Sequence, residues 1–178
     1  MAKLIGLIGF ARAGKTTVAG LLAEQHGFER QRFAGPLKDM LRAIGLTDYE
    51  IEGAGKEAPC DMLAGRSPRY AMQTLGAEWG RGHISPSFWT ELAARRIAAA
   101  LDSGRSVVVE DCRYVNEADA IRALGGRVWR VERPGIGGSD FHSSEREHLN
   151  IWQDVTLYNE RDLDELAATV AYAVEALT

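Results

Sequence analysis

Hydrophobic and polar positions alternate between two periods along the chain. Leu4 to Ile8 is a short apolar run that ends at Gly9, which predicts a buried strand. From Lys15 to Gln25, Val18, Leu21 and Leu22 fall at helical spacing, and Gly27 closes the helix. A weaker strand is expected over Glu29 to Phe33. Pro36 then suits the first turn of a helix that carries Leu37, Met40, Leu41 and Ile44 and stops at Gly45. From Leu46 to Arg69 the pattern is poor and is broken by Gly53, Gly55, Pro59, Gly65 and Pro68, so a long irregular segment is expected.

Tyr70 to Trp79 reads as helix. Ser85-Pro86 opens another, from Pro86 to Leu101, with serine as N-cap. Val107-Val108-Val109 is the clearest buried strand and runs into Glu110-Asp111. Glu117 to Leu124 is a helix stopped by Gly125-Gly126, and Arg127 to Glu132 alternates as a strand. Val155 to Leu157 is a short last strand, and Asp162-Leu163-Asp164-Glu165 starts a final helix that reaches Leu177. Strands alternating with helices predict an α/β fold with a mainly parallel sheet covered on both faces.

Composition narrows the classes. A chain of 178 residues suits one domain with a substantial core. A net charge of -4 argues against broad attraction to nucleic acid, although a local arginine cluster for phosphate stays open. Cys60 and Cys112 lie far apart without CxxC partners, so neither a zinc site nor a disulfide framework is expected. No apolar run approaches the roughly 20 residues of a membrane span. The apolar stretch near Met1 is too short for a signal peptide. A cytoplasmic protein is the expectation.

The strongest chemical signal is Gly9-Phe10-Ala11-Arg12-Ala13-Gly14-Lys15-Thr16, which fits G-x-x-x-x-G-K-[ST] between a predicted strand and a predicted helix. In such a loop the glycines let successive N–H groups turn inward on phosphate oxygens, and the helix N-terminus adds its dipole. Gly9, Ala11, Ala13, Gly14, Lys15, Thr16 and Thr17 are therefore expected to hold the phosphates of a nucleotide, although the loop alone does not separate a kinase from a GTPase or another ATPase. Lys15 would reach the β- and γ-phosphates and the Thr16 hydroxyl would hold Mg²⁺. Arg12 either bridges donor and acceptor phosphates or is a solvated loop arginine.

Asp111 stands at the carboxyl end of a strand, the edge where parallel α/β sheets gather ligands. It is expected to orient Mg²⁺ through water or to position the acceptor, unless it merely caps the next helix, while alternation turns Glu110 to the opposite face. Arg113 is placed to grip an acceptor phosphate through two hydrogen bonds. Asn116 and Glu117 begin a helix, where capping explains them as well as function does.

Beyond the loop, several blocks resemble the bacteriophage-type deoxynucleoside monophosphate kinases, a branch of the P-loop nucleoside monophosphate kinases. They are Phe33-Ala34-Gly35-Pro36-Leu37-Lys38, Arg66-Ser67-Pro68-Arg69, Gln73-Thr74-Leu75-Gly76-Ala77-Glu78-Trp79-Gly80-Arg81, Asp111 to Glu117, and His142-Ser143-Ser144-Glu145. The resemblance runs nearly end to end. It implies a single P-loop kinase domain over residues 1–178, a three-layer sandwich with a helical acceptor-binding region at about 34–88 and a lid at about 134–149.

The resemblance also implies site roles. Lys15, Arg12, Asp111 and Arg113 would serve catalysis, and Arg133 would join the loop in holding ATP. Lys38, Arg66, Arg69, Gln73, Trp79, Arg113 and Glu117 would bind the acceptor nucleotide. Trp79 stacks on a base or fills the core, and Glu78 and Arg81 bind substrate or pair with each other. Arg146 would enter with the lid, and His142 is a polar lid contact rather than a base. Two positions depart from the family pattern: Cys112 replaces an aliphatic residue, and Thr17 stands where an acid is common.

The implied partners are small nucleotides, with nucleic acid and membrane disfavoured and a homodimer allowed. If the chain is phage-encoded, its compartment is the host cytoplasm. Two other readings share the loop: a kinase acting on a hydroxyl of a modified base in DNA, and a nucleotide-binding regulatory module without transfer activity.

Overall fold

A computed structural model describes residues 2–136 and 147–177. The chain divides into two compact units, Met1–Phe33 with Ala94–Thr178, and Ala34–Ala93.

The first unit is built on a five-stranded sheet. Its strands are β1 (Leu4–Ile8), β2 (Glu29–Gln31), β3 (Val107–Val109), β4 (Arg127–Glu132) and β5 (Val155–Tyr158). They lie in the order β2-β3-β1-β4-β5, and every pairing is parallel. A parallel sheet has helices on both faces, so its central strands are apolar throughout. All five residues of β1 and all three of β3 are buried accordingly.

On one face Ile5, Leu7, Val108, Trp129 and Val131 join Val18 and Leu22 of helix α1 (Lys15–His26) in a single core. Leu166 and Val170 of the last helix, Leu163–Glu175, complete it. On the other face helix α6 (Val115–Ala123) lies so close that a Cβ on Gly6 would sit 3.0 Å from Ile121 Cγ1. The last helix is α7 in chain order.

The weaker strand is shorter than expected. β2 ends at Gln31, whose carbonyl accepts the Glu110 N–H at 3.2 Å. The Phe33 N–H instead donates to Asp111 Oδ1 at 2.7 Å, which takes it out of the ladder. Helix α6 begins two residues earlier than the apolar pattern indicates, because the carboxylate of its third residue, Glu117, caps its start.

The second unit contains α2 (Gly35–Ala43), α3 (Asp48–Ile51) and α4 (Pro68–Gln73), followed by a π-helix over Thr74–Ile84. The helix α5 (Phe88–Asp102) starts within it. Leu37, Leu41, Leu46, Ile51 and Trp89 form its core.

Three expectations change here. The segment from Leu46 to Arg69 is not irregular throughout: it holds α3 and two 3₁₀ turns, Ala54–Glu57 and Asp61–Leu63. The expected helix over Tyr70 to Trp79 is an α-helix only to Gln73 and then widens. The expected start at Pro86 is a turn, closed by the Phe88 N–H on the Ser85 carbonyl at 3.0 Å, and α5 begins at Phe88.

Candidate functional site

The site grows from the junction of β1 and α1. Gly9, Arg12 and Gly14 take positive φ angles of 139°, 67° and 109°, so the backbone between strand and helix curls on itself. Left-handed backbone is costly for a residue with a Cβ. Arg12 is held in that conformation, one of two such non-glycine residues among those described. Glycine is required at both ends of the loop. A Cβ on Gly9 would lie 2.4 Å from the Val131 carbonyl oxygen, and one on Gly14 would lie 2.5 Å from Asn159 Nδ2.

Lys15 folds over this loop, and its Nζ donates to the carbonyls of Gly9 at 2.7 Å and Phe10 at 2.8 Å. Its ammonium therefore already sits above the turn. Ala13 is buried, Ala11 is half-buried, and Arg12, Thr16 and Thr17 are exposed. Such a concavity of backbone N–H groups at a helix N-terminus suits phosphate. Beside it lies a cavity of about 310 Å³ lined by Gly9, Phe10, Arg130, Arg133, His148 and Tyr158 among others.

At the end of β3 the two acids separate. Glu110 is 6% exposed and forms ion pairs with Arg30 at 2.6 Å and with Arg32. Asp111 is half-buried and holds the Phe33 N–H. Arg113 is exposed, and its backbone N–H donates to Glu117 Oε2 at 2.8 Å. Glu117, expected at the acceptor, is 4% exposed, and the same oxygen accepts the Tyr114 N–H at 3.1 Å. Its carboxylate thus caps α6.

The other expected acceptor residues all lie in the second unit. Lys38 pairs with Glu52 at 2.7 Å, Arg69 with Glu57 at 2.9 Å, and the Arg66 guanidinium lies 5.0 Å from the Tyr70 ring centre. Gln73 is exposed at the end of α4. Trp79 is 39% exposed on the π-helix, with its ring 5.4 Å from that of Phe88, edge to face. It is thus packed on one side and open on the other. Most of the expected lid, with His142 and Arg146, lies outside the described residues.

Two residues next to the loop, Asn159 and His148, are not indicated by the sequence, and Arg130, which the sequence places with Arg133 beside the glycine-rich loop, is buried there. Asn159 Nδ2 donates to the Ala13 carbonyl at 2.9 Å. His148 is 3% exposed and meets the Phe10 ring edge-on at 4.6 Å. Arg130 is buried and donates to the carbonyls of His148 at 3.1 Å and Ile151 at 2.9 Å. Burial pushes its pKa below the usual arginine range. The only hint in the sequence was a polar residue just past a strand end, which is too common a feature to single out Asn159.

The magnesium site can be judged from its donors. No cluster of three or more His, Cys, Asp or Glu side chains able to hold a metal occurs among the described residues. Mg²⁺ at a nucleotide takes only one or two protein groups and completes its shell with phosphates and water. The Thr16 hydroxyl and the Asp111 carboxylate are the right kind and number of ligands for that arrangement.

A parallel sheet in the order β2-β3-β1-β4-β5, with G-x-x-x-x-G-K-T between its central strand and first helix, defines a P-loop kinase fold. Shikimate kinase from Aquifex aeolicus superposes with a TM-score of 0.59 at 14% identity, covering 98% of each chain. The chain belongs to the deoxynucleotide monophosphate kinase family, whose model matches residues 64–170. A protein assigned provisionally as a deoxynucleotide monophosphate kinase in Acanthamoeba polyphaga mimivirus is 34% identical, covering 97% of this chain and 96% of its own. The deoxynucleotide monophosphate kinase of Enterobacteria phage T4 is 25% identical, covering 98% and 100%. No helix among the described residues is long and apolar enough to cross a membrane.

Proposed function

We propose that the chain transfers the γ-phosphoryl group of ATP to a deoxynucleoside monophosphate, giving ADP and a deoxynucleoside diphosphate. The observation that carries this reading is the Gly9–Thr16 turn, with its positive-φ glycines and Lys15 Nζ over its carbonyls, in a chain of this family. In the reaction an oxygen of the acceptor phosphate bonds to the γ-phosphorus of ATP. The bond from that phosphorus to the β–γ bridging oxygen breaks, and ADP leaves. Such a transfer needs alignment and charge neutralisation more than proton removal.

The residues divide that work. Gly9, Ala11, Ala13, Gly14 and Thr17 belong to the turn and the first helical residues that receive the phosphate chain. Lys15 exchanges its two carbonyl partners for phosphate oxygens. Arg12 and Arg113 offset charge on the transferred group and hold the acceptor phosphate. Thr16 and Asp111 hold the metal, which when bound lowers the repulsion between phosphate oxygens. Arg133 lines the cavity beside the turn and serves the donor nucleotide there. Lys38, Arg66, Arg69, Gln73 and Trp79 serve the acceptor, with the open face of Trp79 available to a base. The reaction belongs in the cytoplasm, where both nucleotides are found, and in the host's cytoplasm for a phage-encoded chain.

The test is a panel of common ribo- and deoxyribonucleoside monophosphates incubated with ATP and Mg²⁺, with ADP release and product identity both measured. A deoxynucleoside diphosphate is expected as product. Lys15→Ala should lower turnover by about 10²-fold or more while the fold persists, the loss expected when one charge-stabilising group is removed. ADP release without a phosphorylated acceptor, or full turnover in Lys15→Ala, would refute the assignment.

A further inference from the structure

We propose that Asn159 is a positioning residue for the phosphate-binding turn: its side-chain amide fixes the Ala13–Gly14 peptide so that the Gly14 N–H is presented to the donor phosphates. The inference rests on the reading of Gly9–Thr16 as the donor site.

Asn159 directly follows β5, at the carboxyl edge of the sheet. Its own backbone is fixed, because its N–H donates to the Glu132 carbonyl at 2.7 Å, one step beyond the paired residues Glu132 and Tyr158. From there Nδ2 reaches back across 146 residues of sequence to the Ala13 carbonyl. Carbonyl acceptors require a donor, so this end of the amide is its NH₂ group.

The consequence follows from peptide geometry. The carbonyl of Ala13 and the N–H of Gly14 belong to one planar trans unit and point in opposite directions. A donor that holds the carbonyl on the Asn159 side therefore turns the Gly14 N–H the other way. Gly14 adopts φ 109°, a conformation that glycine enters and leaves at little cost. It must be glycine, since a Cβ would lie 2.5 Å from Asn159 Nδ2. The residue demanded by the close approach is also the one least able to hold its own peptide, and the asparagine supplies the missing restraint.

This predicts a loss confined to phosphate binding. Asn159→Asp keeps the size of the side chain but replaces the donor with an acceptor facing the Ala13 carbonyl. Asn159→Leu has similar bulk and no donor. In full-length protein, ADP affinity should fall about tenfold or more in both, the size of one charge-assisted hydrogen bond. KM for ATP should rise in step, while KM for the acceptor and the melting temperature of the nucleotide-free protein barely move. In wild-type protein labelled with ¹⁵N, the Gly14 amide resonance should shift downfield on ADP addition, and this shift should shrink in the variants.

The inference fails if both variants bind ADP as wild type does. It also fails if the two KM values rise together with a falling melting temperature, which is the mark of a merely structural residue. If Asn159→Leu does not fold, the isosteric Asn159→Asp with the Gly14 resonance decides alone. Wild-type protein that did not bind ADP would instead overturn the donor-site reading, and this inference with it.

Discussion

Glu110 and Asp111 are neighbours with opposite tasks. The Glu110 carboxylate is buried between Arg30 and Arg32, whereas Asp111 holds one backbone N–H and keeps some exposure. Glu110→Gln removes the charge that two guanidinium groups share. Because those arginine side chains are 37% and 32% exposed, water screens part of the loss, and about 1–2 kcal/mol of stability is expected to go. Urea denaturation measures it, and turnover should follow only the folded fraction. Asp111→Asn can still accept the Phe33 N–H, so stability should hold while turnover falls about tenfold or more through the weakened metal side. Unchanged turnover in Asp111→Asn would remove Asp111 from the proposed chemistry.

Cys112 carries a prediction at the same scale. Burial pushes its thiol pKa well above the ordinary value, and the charges of Glu117 and Asp111 push it further the same way. A raised pKa leaves almost no thiolate at pH 8, so a thiol reagent should label Cys112 only after unfolding; mass spectrometry of native and urea-treated protein would show it. The phosphate turn was legible in the sequence because its parts are eight consecutive residues. The Asn159 contact was not, because its partners are 146 residues apart and no local pattern records them.

At the scale of elements, the periodic segments were read well and the junctions poorly. β1 and β4 have the limits that the sequence pattern indicates, β1 from its apolar run, whereas β4, read as alternating, is buried at all four inner positions, Val128 to Val131. The π-helix left no such mark. At its start the Thr74 hydroxyl donates to the carbonyls of Tyr70 at 3.1 Å and Ala71 at 3.2 Å, competing with the backbone ladder where the α-helix ends. Further along, Gly80 meets Trp89, whose Nε1 donates to the Gly76 carbonyl at 2.9 Å. A Cβ on Gly80 would lie 2.2 Å from that same nitrogen. Gly80→Ala must therefore move the indole, break its hydrogen bond and disturb its contacts with Trp79 and Phe88. We expect a cost of about 1–3 kcal/mol to the second unit, read by tryptophan fluorescence during denaturation, with KM for the acceptor raised in parallel. A variant as stable as wild type, with unchanged fluorescence, would show that the helix adjusts freely at this point.

For the whole molecule, charge separates a free nucleotide acceptor from a polymer. A kinase that phosphorylates a modified base within DNA must hold a polyanion, and that requires an array of unopposed Lys and Arg whose contacts release counterions. This chain has net charge -4. In the second unit Lys38 faces Glu52, Arg42 faces Asp39 and Asp48, and Arg69 faces Glu57. These acids leave room for one phosphate to compete for a cation but oppose a long phosphate backbone. With labelled ATP, label should therefore enter free deoxynucleoside monophosphates and not a duplex carrying hydroxymethylated bases. Unmodified duplex added as competitor should not slow the reaction. Between 50 and 200 mM salt, KM for the monophosphate should change by only a few fold, whereas about six to ten phosphate contacts on DNA would weaken binding by about 10³–10⁵. Transfer of label to the duplex, or strong inhibition by it at low salt, would move the acceptor from the free nucleotide to the polymer and leave only the donor half of the assignment standing.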